Sequence, residues 1–191
     1  MSEATTIDDV DYGPLAVLVG TWTGDKGVDK APEPDGEERS LFYETIIFEA
    51  IGYVDNAEKQ TLTMLRYHQV VSRKSNDEVF HNETGYWMWD KADGTIMQSF
   101  SIPRGVAVLA GGNCPAPEDI NAEITLSVKA VTGDLTFGVL QSPFMEANAK
   151  TTGFTHDVTV HGDNMRYTET TFLDIYGKNY DHTDISRLQR S

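Results

Sequence analysis

Gly13-Pro14-Leu15-Ala16-Val17-Leu18-Val19-Gly20-Thr21-Trp22-Thr23-Gly24 is the stretch from which the fold is read. A short apolar segment, opened by proline, runs into a Gly-x-Trp, a polar residue and another glycine. A Trp two residues after a Gly can plug one end of a closed antiparallel barrel, while the Gly lets the entering segment pass close to the floor. Neither a helix nor a phosphate-loop lysine stands behind Gly-Thr-Trp-Thr-Gly, which argues against nucleotide binding.

Working outward, the chain is a succession of strand-like segments. Ala31-Pro32-Glu33-Pro34-Asp35-Gly36 begins an acidic loop extending to Arg39, and the first good strand follows at Leu41 to Phe48. Further strands are predicted over Gln60 to Val71, Glu78 to Trp89, Gly94 to Ile102 and Gly105 to Ala110. Asp93-Gly94 supplies the left-handed position of a tight reversal, and Pro103 interrupts ladder pairing at a bend. Gly111-Gly112-Asn113-Cys114-Pro115-Ala116-Pro117 reads as a loop. The last strands are Ala122 to Ala130, Leu135 to Leu140, Lys150 to Val160, Met165 to Ile175 and Tyr180 to Leu188. Short helices are predicted only at Pro14 to Val19 and Pro143 to Ala149. About ten strands joined by short turns predict one all-β domain over residues 13–191. It is an up-and-down antiparallel barrel, with a short N-terminal helical turn plugging one end.

In the strand from Glu78 to Trp89, Val79, His81, Glu83, Gly85, Trp87 and Trp89 share one face. Neither face is purely apolar, as in a barrel wall that encloses a ligand cavity; an edge-exposed strand of a β-sandwich shows the same pattern, and the barrel is the preferred reading.

Thirty Asp and Glu against fifteen Lys and Arg give a formal charge of -15, a field that repels nucleic acid and anionic membranes. No run reaches the ~20 apolar residues of a membrane helix. The acidic residues 1–12 read as a disordered, solubilising tail with no signal peptide, so a cytoplasmic protein is expected. Cys114 stands alone, without a partner for an intrachain disulfide. The expected partners are a small-molecule ligand and a second copy of the chain in a homodimer.

The histidines are His68, His81, His156, His161 and His182, with no His-x-His or His-x-x-x-His spacing, so any metal site is assembled across strands. His182 lies in Tyr180-Asp181-His182-Thr183-Asp184, sharing a face with Tyr180 and Asp184. Local sequence leaves it open as a ligand, half of an acid-base pair or a salt-bridged rim residue. No Gly-x-Ser-x-Gly elbow supports an α/β-hydrolase.

Several segments together resemble the nitrobindin family: Gly13 to Gly24, His81-Asn82-Glu83-Thr84-Gly85-Tyr86, Asp93-Gly94, Gly105-Val106-Ala107-Val108, Thr168-Glu169-Thr170-Thr171, and a last strand opening at His182. That family comprises haem-binding barrels related in architecture to lipocalins and fatty-acid-binding proteins. The resemblance implies a ferric haem b near the barrel mouth, with His182 as axial iron ligand and His81 near the other haem face. It also places Thr21, Trp22, Met64 and Arg104 among the cofactor-binding residues, Arg104-Gly105 standing where the family pattern has Thr-Gly. Asp184 or a main-chain carbonyl would hold the second imidazole nitrogen. Met64, Leu65, Phe100, Ile102 and Val108 would form an apolar wall. The implied chemistry is reversible nitric oxide binding and isomerisation of peroxynitrite to nitrate. Around His182 the chain is more acidic than the family pattern, and the stretch Val131 to Ala149 is long enough to cap the mouth. The rival readings are a lipocalin-like carrier of an apolar molecule and a hydrolase or isomerase built on His182 and Asp184.

Overall fold

Residues 5–191 are described by the structure, a computed structural model. A small hairpin, β1 (Thr6–Ile7) and β2 (Val10–Asp11), leads into a 3-10 turn at Gly13–Leu18. Then come β3 (Gly20–Glu33), β4 (Gly36–Asn56), β5 (Gln60–Arg73), β6 (Val79–Asp90), β7 (Thr95–Ile102), β8 (Val106–Asn113) and β9 (Ile124–Val131). After these follow β10 (Val139–Gln141), helix α1 (Pro143–Asn148), β11 (Ala149–His161), β12 (Asn164–Ile175) and β13 (Lys178–Arg190). Antiparallel pairing runs from β3 through β8 in chain order, then through β9, β11, β12 and β13 back to β3. Gly111 opposite Lys129 joins β8 to β9 and closes a ten-stranded barrel.

The expected strand number holds, but its membership does not. β3 takes the place of the segment Leu135 to Leu140, of which only β10 is strand, paired with β8 outside the ring. β3 escapes a pattern reading because Gly24-Asp25-Lys26-Gly27 carries no apolar alternation. Its glycines serve close packing: a Cβ on Gly27 would lie 2.0 Å from the Phe42 ring. The acidic loop expected up to Arg39 is only a tight turn, since Gly36 to Arg39 already pair with β3. Gly111 to Asn113 likewise continue β8. Of the stretch from Val131 to Ala149, α1 lies at the mouth end, between Gln141 opposite Val106 and Ala149 opposite Ile175. β10 continues the wall where β8 and β9 part, with Val139 opposite Val108.

The floor is apolar and closed. Leu15, Leu18, Trp22, Leu65, Trp87, Trp89, Ile96 and Leu126 are buried there. Trp22 Nε1 donates to the Leu18 carbonyl at 2.7 Å, tying plug to wall, and the Arg190 guanidinium lies 4.2 Å over the indole. Gly13, at φ +50°, lies where a Cβ would meet the Trp89 ring at 2.4 Å. The opening motif therefore does what its spacing predicts. Of the expected disordered tail, residues 1–4 lie outside the described residues and residues 5–12 are ordered. Asp11 Oδ1 accepts from Thr5 Oγ1 at 2.7 Å and from the Gly13 amide at 3.0 Å, while Lys91 pairs with Oδ2 at 2.7 Å. Tyr12 is buried and accepts from the Gly52 amide at 2.7 Å. No helix is long and apolar enough to cross a membrane among the described residues.

Candidate functional site

Above the floor the lumen turns polar. β4 contributes Glu44, β5 Tyr67 and Gln69, β6 His81 and Glu83, β7 Gln98, β11 His156, β12 Tyr167 and Glu169, and β13 His182 and Asp184. Asp29 reaches the same space from β3 through a bulge. Trp22 and Asp29 are seven apart, an odd spacing that would put them on opposite faces of a regular strand. Between Thr23 and Val28, β3 uses one residue more than β13 does between Gln189 and Ile185. Asp25 and Lys26 are both exposed, and Gly27 and Asp29 turn inward.

The mouth lies at the end away from the plug. There His81, Ile102, Thr171, Leu173, Tyr180 and His182 are only partly buried. His182 is 32 % exposed, and its Nε2 donates to Oδ1 of the buried Asp29 at 2.8 Å with Asp184 Oδ2 at 3.8 Å. Burial pulls the imidazole pKa down, but the hydrogen bond to Asp29 and the charges of Asp184 and Asp29 outweigh it, so the net shift is upward. Burial pushes Asp184 up to about 6, against the pull of His182. Across the lumen His81 Nε2 lies 3.4 Å from Glu83 Oε2.

Two hydrogen-bonded strings fill the deeper lumen. Tyr167 OH and Gln69 Nε2 both donate to Glu44, at 3.0 and 2.7 Å. Burial raises that carboxyl to about 7 despite these donors. In the second string Tyr67 OH donates to Glu83, Gln98 Nε2 donates to Tyr67 OH at 2.8 Å, and His156 Nδ1 donates to Gln98 Oε1 at 3.0 Å. His156 is buried with Nε2 unpartnered, and burial lowers its pKa to about 3, so the ring is neutral. Glu169 is pushed well above the carboxylate range, first by burial and then by the charges of Glu83, Asp184 and Glu44. Among the described residues no ion pair joins a Lys or Arg to Asp29, Glu44, Glu83, Glu169 or Asp184; their charged partners are histidines.

The structure thus gathers His182, Asp184 and His81 at the mouth, with Arg104 at the rim. Arg104 donates to the Phe80 carbonyl at 3.2 Å, and its charge acts on His182. Thr21 and Trp22 belong to the opposite end: on β3 they stand eight or more residues from Lys30, the cross-strand partner of His182's chain neighbour Thr183, or about 26 Å along the strand. They hold the floor and do not line the mouth. Met64 is excluded by parity. It alternates with the buried Leu65 and shares the outer face with Met88 and Met97, its neighbours across two strands. Leu65, Phe100 and Val108 are buried core, and Ile102 alone of that set borders the mouth. The expected apolar wall is therefore largely replaced by carboxylates, tyrosines and amides. Sequence reading missed Asp29, Glu169, Glu44 and His156 as lumen groups. Only Glu83 was legible, by its alternation with His81. His68 faces outward against Asn82 at 3.0 Å, and His161 is exposed next to a turn.

His182 fits the role of an axial ligand. It is a partly open imidazole, oriented by a buried carboxylate as metal-bound histidines commonly are. Fold and site together define a closed antiparallel barrel with a histidine-bearing, acidic mouth. The chain belongs to the THAP4-like, heme-binding beta-barrel domain family, whose model matches residues 11–190. Among solved structures it is similar to that of Rv2717c from M. tuberculosis, at TM-score 0.67 and 19% identity, over 93% of this chain and 94% of that one. That likeness is one of fold. Comparison with curated proteins finds no match.

Proposed function

We propose that the chain holds ferric haem b at the barrel mouth through His182, with nitric oxide as its reversible ligand. Family membership supports the haem, and the Asp29-fixed imidazole at an open mouth is the observation that carries the reading. Bound there, the haem would supply an iron with one coordination position left for a small ligand. The chain's own residues do the rest. Asp29 fixes the ring and makes the imidazole more electron-donating, which favours ferric over ferrous iron. Asp29, not the expected Asp184, is the nearer carboxylate. His81 and Glu83 face the lumen on β6, and Arg104 is placed to meet a carboxylate at the rim.

The charge of the molecule selects among ligands. A formal charge of -15 opposes entry of an anion such as peroxynitrite, whereas neutral nitric oxide meets no such barrier. Nitric oxide binding therefore ranks above peroxynitrite isomerisation. The polarity of the lumen removes support from a carrier of apolar molecules. Acid-base chemistry on a small molecule is the second reading, favoured by Asp184 and Glu44, whose pKa values of about 6 and 7 put proton exchange near neutrality.

The test is haem reconstitution followed by exposure to nitric oxide. A Soret band that shifts under nitric oxide and returns on purging is expected, with peroxynitrite decay no faster than with free haem. Absence of a protein-bound Soret band would remove the proposal.

A further inference from the structure

We propose that Asp29, His182 and Asp184 also form a site for a bare divalent cation of the borderline class, such as Fe²⁺, Co²⁺ or Zn²⁺. The inference does not rest on haem binding. One donor atom from each residue lies within 4.8 Å of the other two. His182 Nε2 is 2.8 Å from Asp29 Oδ1 and 3.8 Å from Asp184 Oδ2. Nitrogen and oxygen ligands about 2.1 Å from one ion stand about 3.0–3.5 Å from each other. The three side chains therefore admit an ion between them after modest side-chain adjustment. One imidazole with two carboxylates suits ions that accept mixed nitrogen and oxygen donors, and offers no soft sulfur.

An independent group points the same way. Glu83 is 1 % exposed, and its Oε2 is buried without a hydrogen-bond partner. It stands on the facing strand wall beside His81, near enough that both charges act on Asp184. A buried carboxylate oxygen without a hydrogen bond is costly unless something positive shares its space, and His81 Nε2, 3.4 Å away, is charged only when protonated. Glu169 lies opposite Asp184 across the β12–β13 ladder and adds another carboxylate. A divalent ion at the triad would offset the charge of Asp29 and Asp184 and attract both neighbouring carboxylates. Arg104, whose field reaches His182 from the rim, is too far out to do so: its guanidinium is bonded to the Phe80 carbonyl.

The test uses the full, haem-free chain after chelator treatment and buffer exchange, titrated with Co²⁺ and read by visible ligand-field bands, then with Zn²⁺ by displacement. One equivalent of Co²⁺ is expected. Asp184→Asn and Asp29→Asn should each weaken it tenfold or more, His182→Ala should abolish the bands, and Glu118→Gln, on an exposed loop, should leave them unchanged. Asp184→Asn is the decisive variant because its half-open site tolerates an amide, and an unchanged melting temperature certifies its fold. Equal affinity in the parent and Asp184→Asn would overturn the proposal, as would weak binding of several equivalents. Cobalt bands with the expected variant pattern but no Soret band on haem addition would leave this site standing and remove haem. The reverse result would do the opposite.

Discussion

His182 and Asp29 illustrate how much one hydrogen bond decides. A histidine at a barrel mouth is ordinary, but one whose Nε2 meets a buried carboxylate at 2.8 Å has a fixed ring and an enforced charge preference. Glu44 shows the cost of building such a lumen. In the fold it keeps its proton up to about pH 7, whereas an unfolded chain releases it near 4.5. The folded state thus binds more protons between those values, and stability falls as pH rises through that window. Asp184, raised from 3.8 to about 6, acts in the same direction, as does His182. His156, lowered from 6.5 to about 3, opposes them below pH 6.5. Glu44→Gln removes only the first contribution. Relative to the parent, the variant should gain about 3 kcal/mol of urea stability on going from pH 4.5 to 8, the worth of a shift from 4.5 to about 7. A pH-independent difference between the two would show that Glu44 is ionised normally.

At the scale of elements, β3 is the informative strand. Its bulge between Thr23 and Val28 lets Trp22 serve the floor and Asp29 the mouth, two inward positions that regular alternation forbids. Gly27 accommodates Phe42 beside this bulge, so Gly27→Ala should force the ring aside and cost about 1–3 kcal/mol, seen as a lower urea midpoint with an unchanged slope. Loss of haem or Co²⁺ binding in that variant would accompany displacement of Asp29. The barrel itself was legible because Trp, Gly and alternating residues from Leu41 onward follow wall periodicity, and β6 could be read face by face. β3 was not, because a bulged strand of Gly, Asp and Lys has neither the composition nor the parity of a strand. Asp29 was hidden with it. Met64 failed for the opposite reason: a residue in a well-read strand was assigned to the lumen, although its alternation with Leu65 sends it outward. Glu44, Glu169 and His156 carry no local signal, since a buried carboxylate and an exposed one look alike until the facing strands are known.

Over the whole molecule, charge and closure act together. An apolar floor seals one end, a carboxylate-rich lumen occupies the middle, and the mouth admits ligands through the field of a chain of formal charge -15. Association of an anionic ligand such as azide with the haem-loaded protein should therefore quicken as salt rises from 10 to 500 mM, while nitric oxide association stays flat. Parallel salt dependence of the two would contradict electrostatic selection. The most direct measurement is haem titration of His182→Gly with and without added imidazole, followed at the Soret band. Restoration of the parent spectrum by imidazole, and only in this variant and not in His81→Gly, is the expected result; a parent-like spectrum in His182→Gly without imidazole would show that iron is held elsewhere.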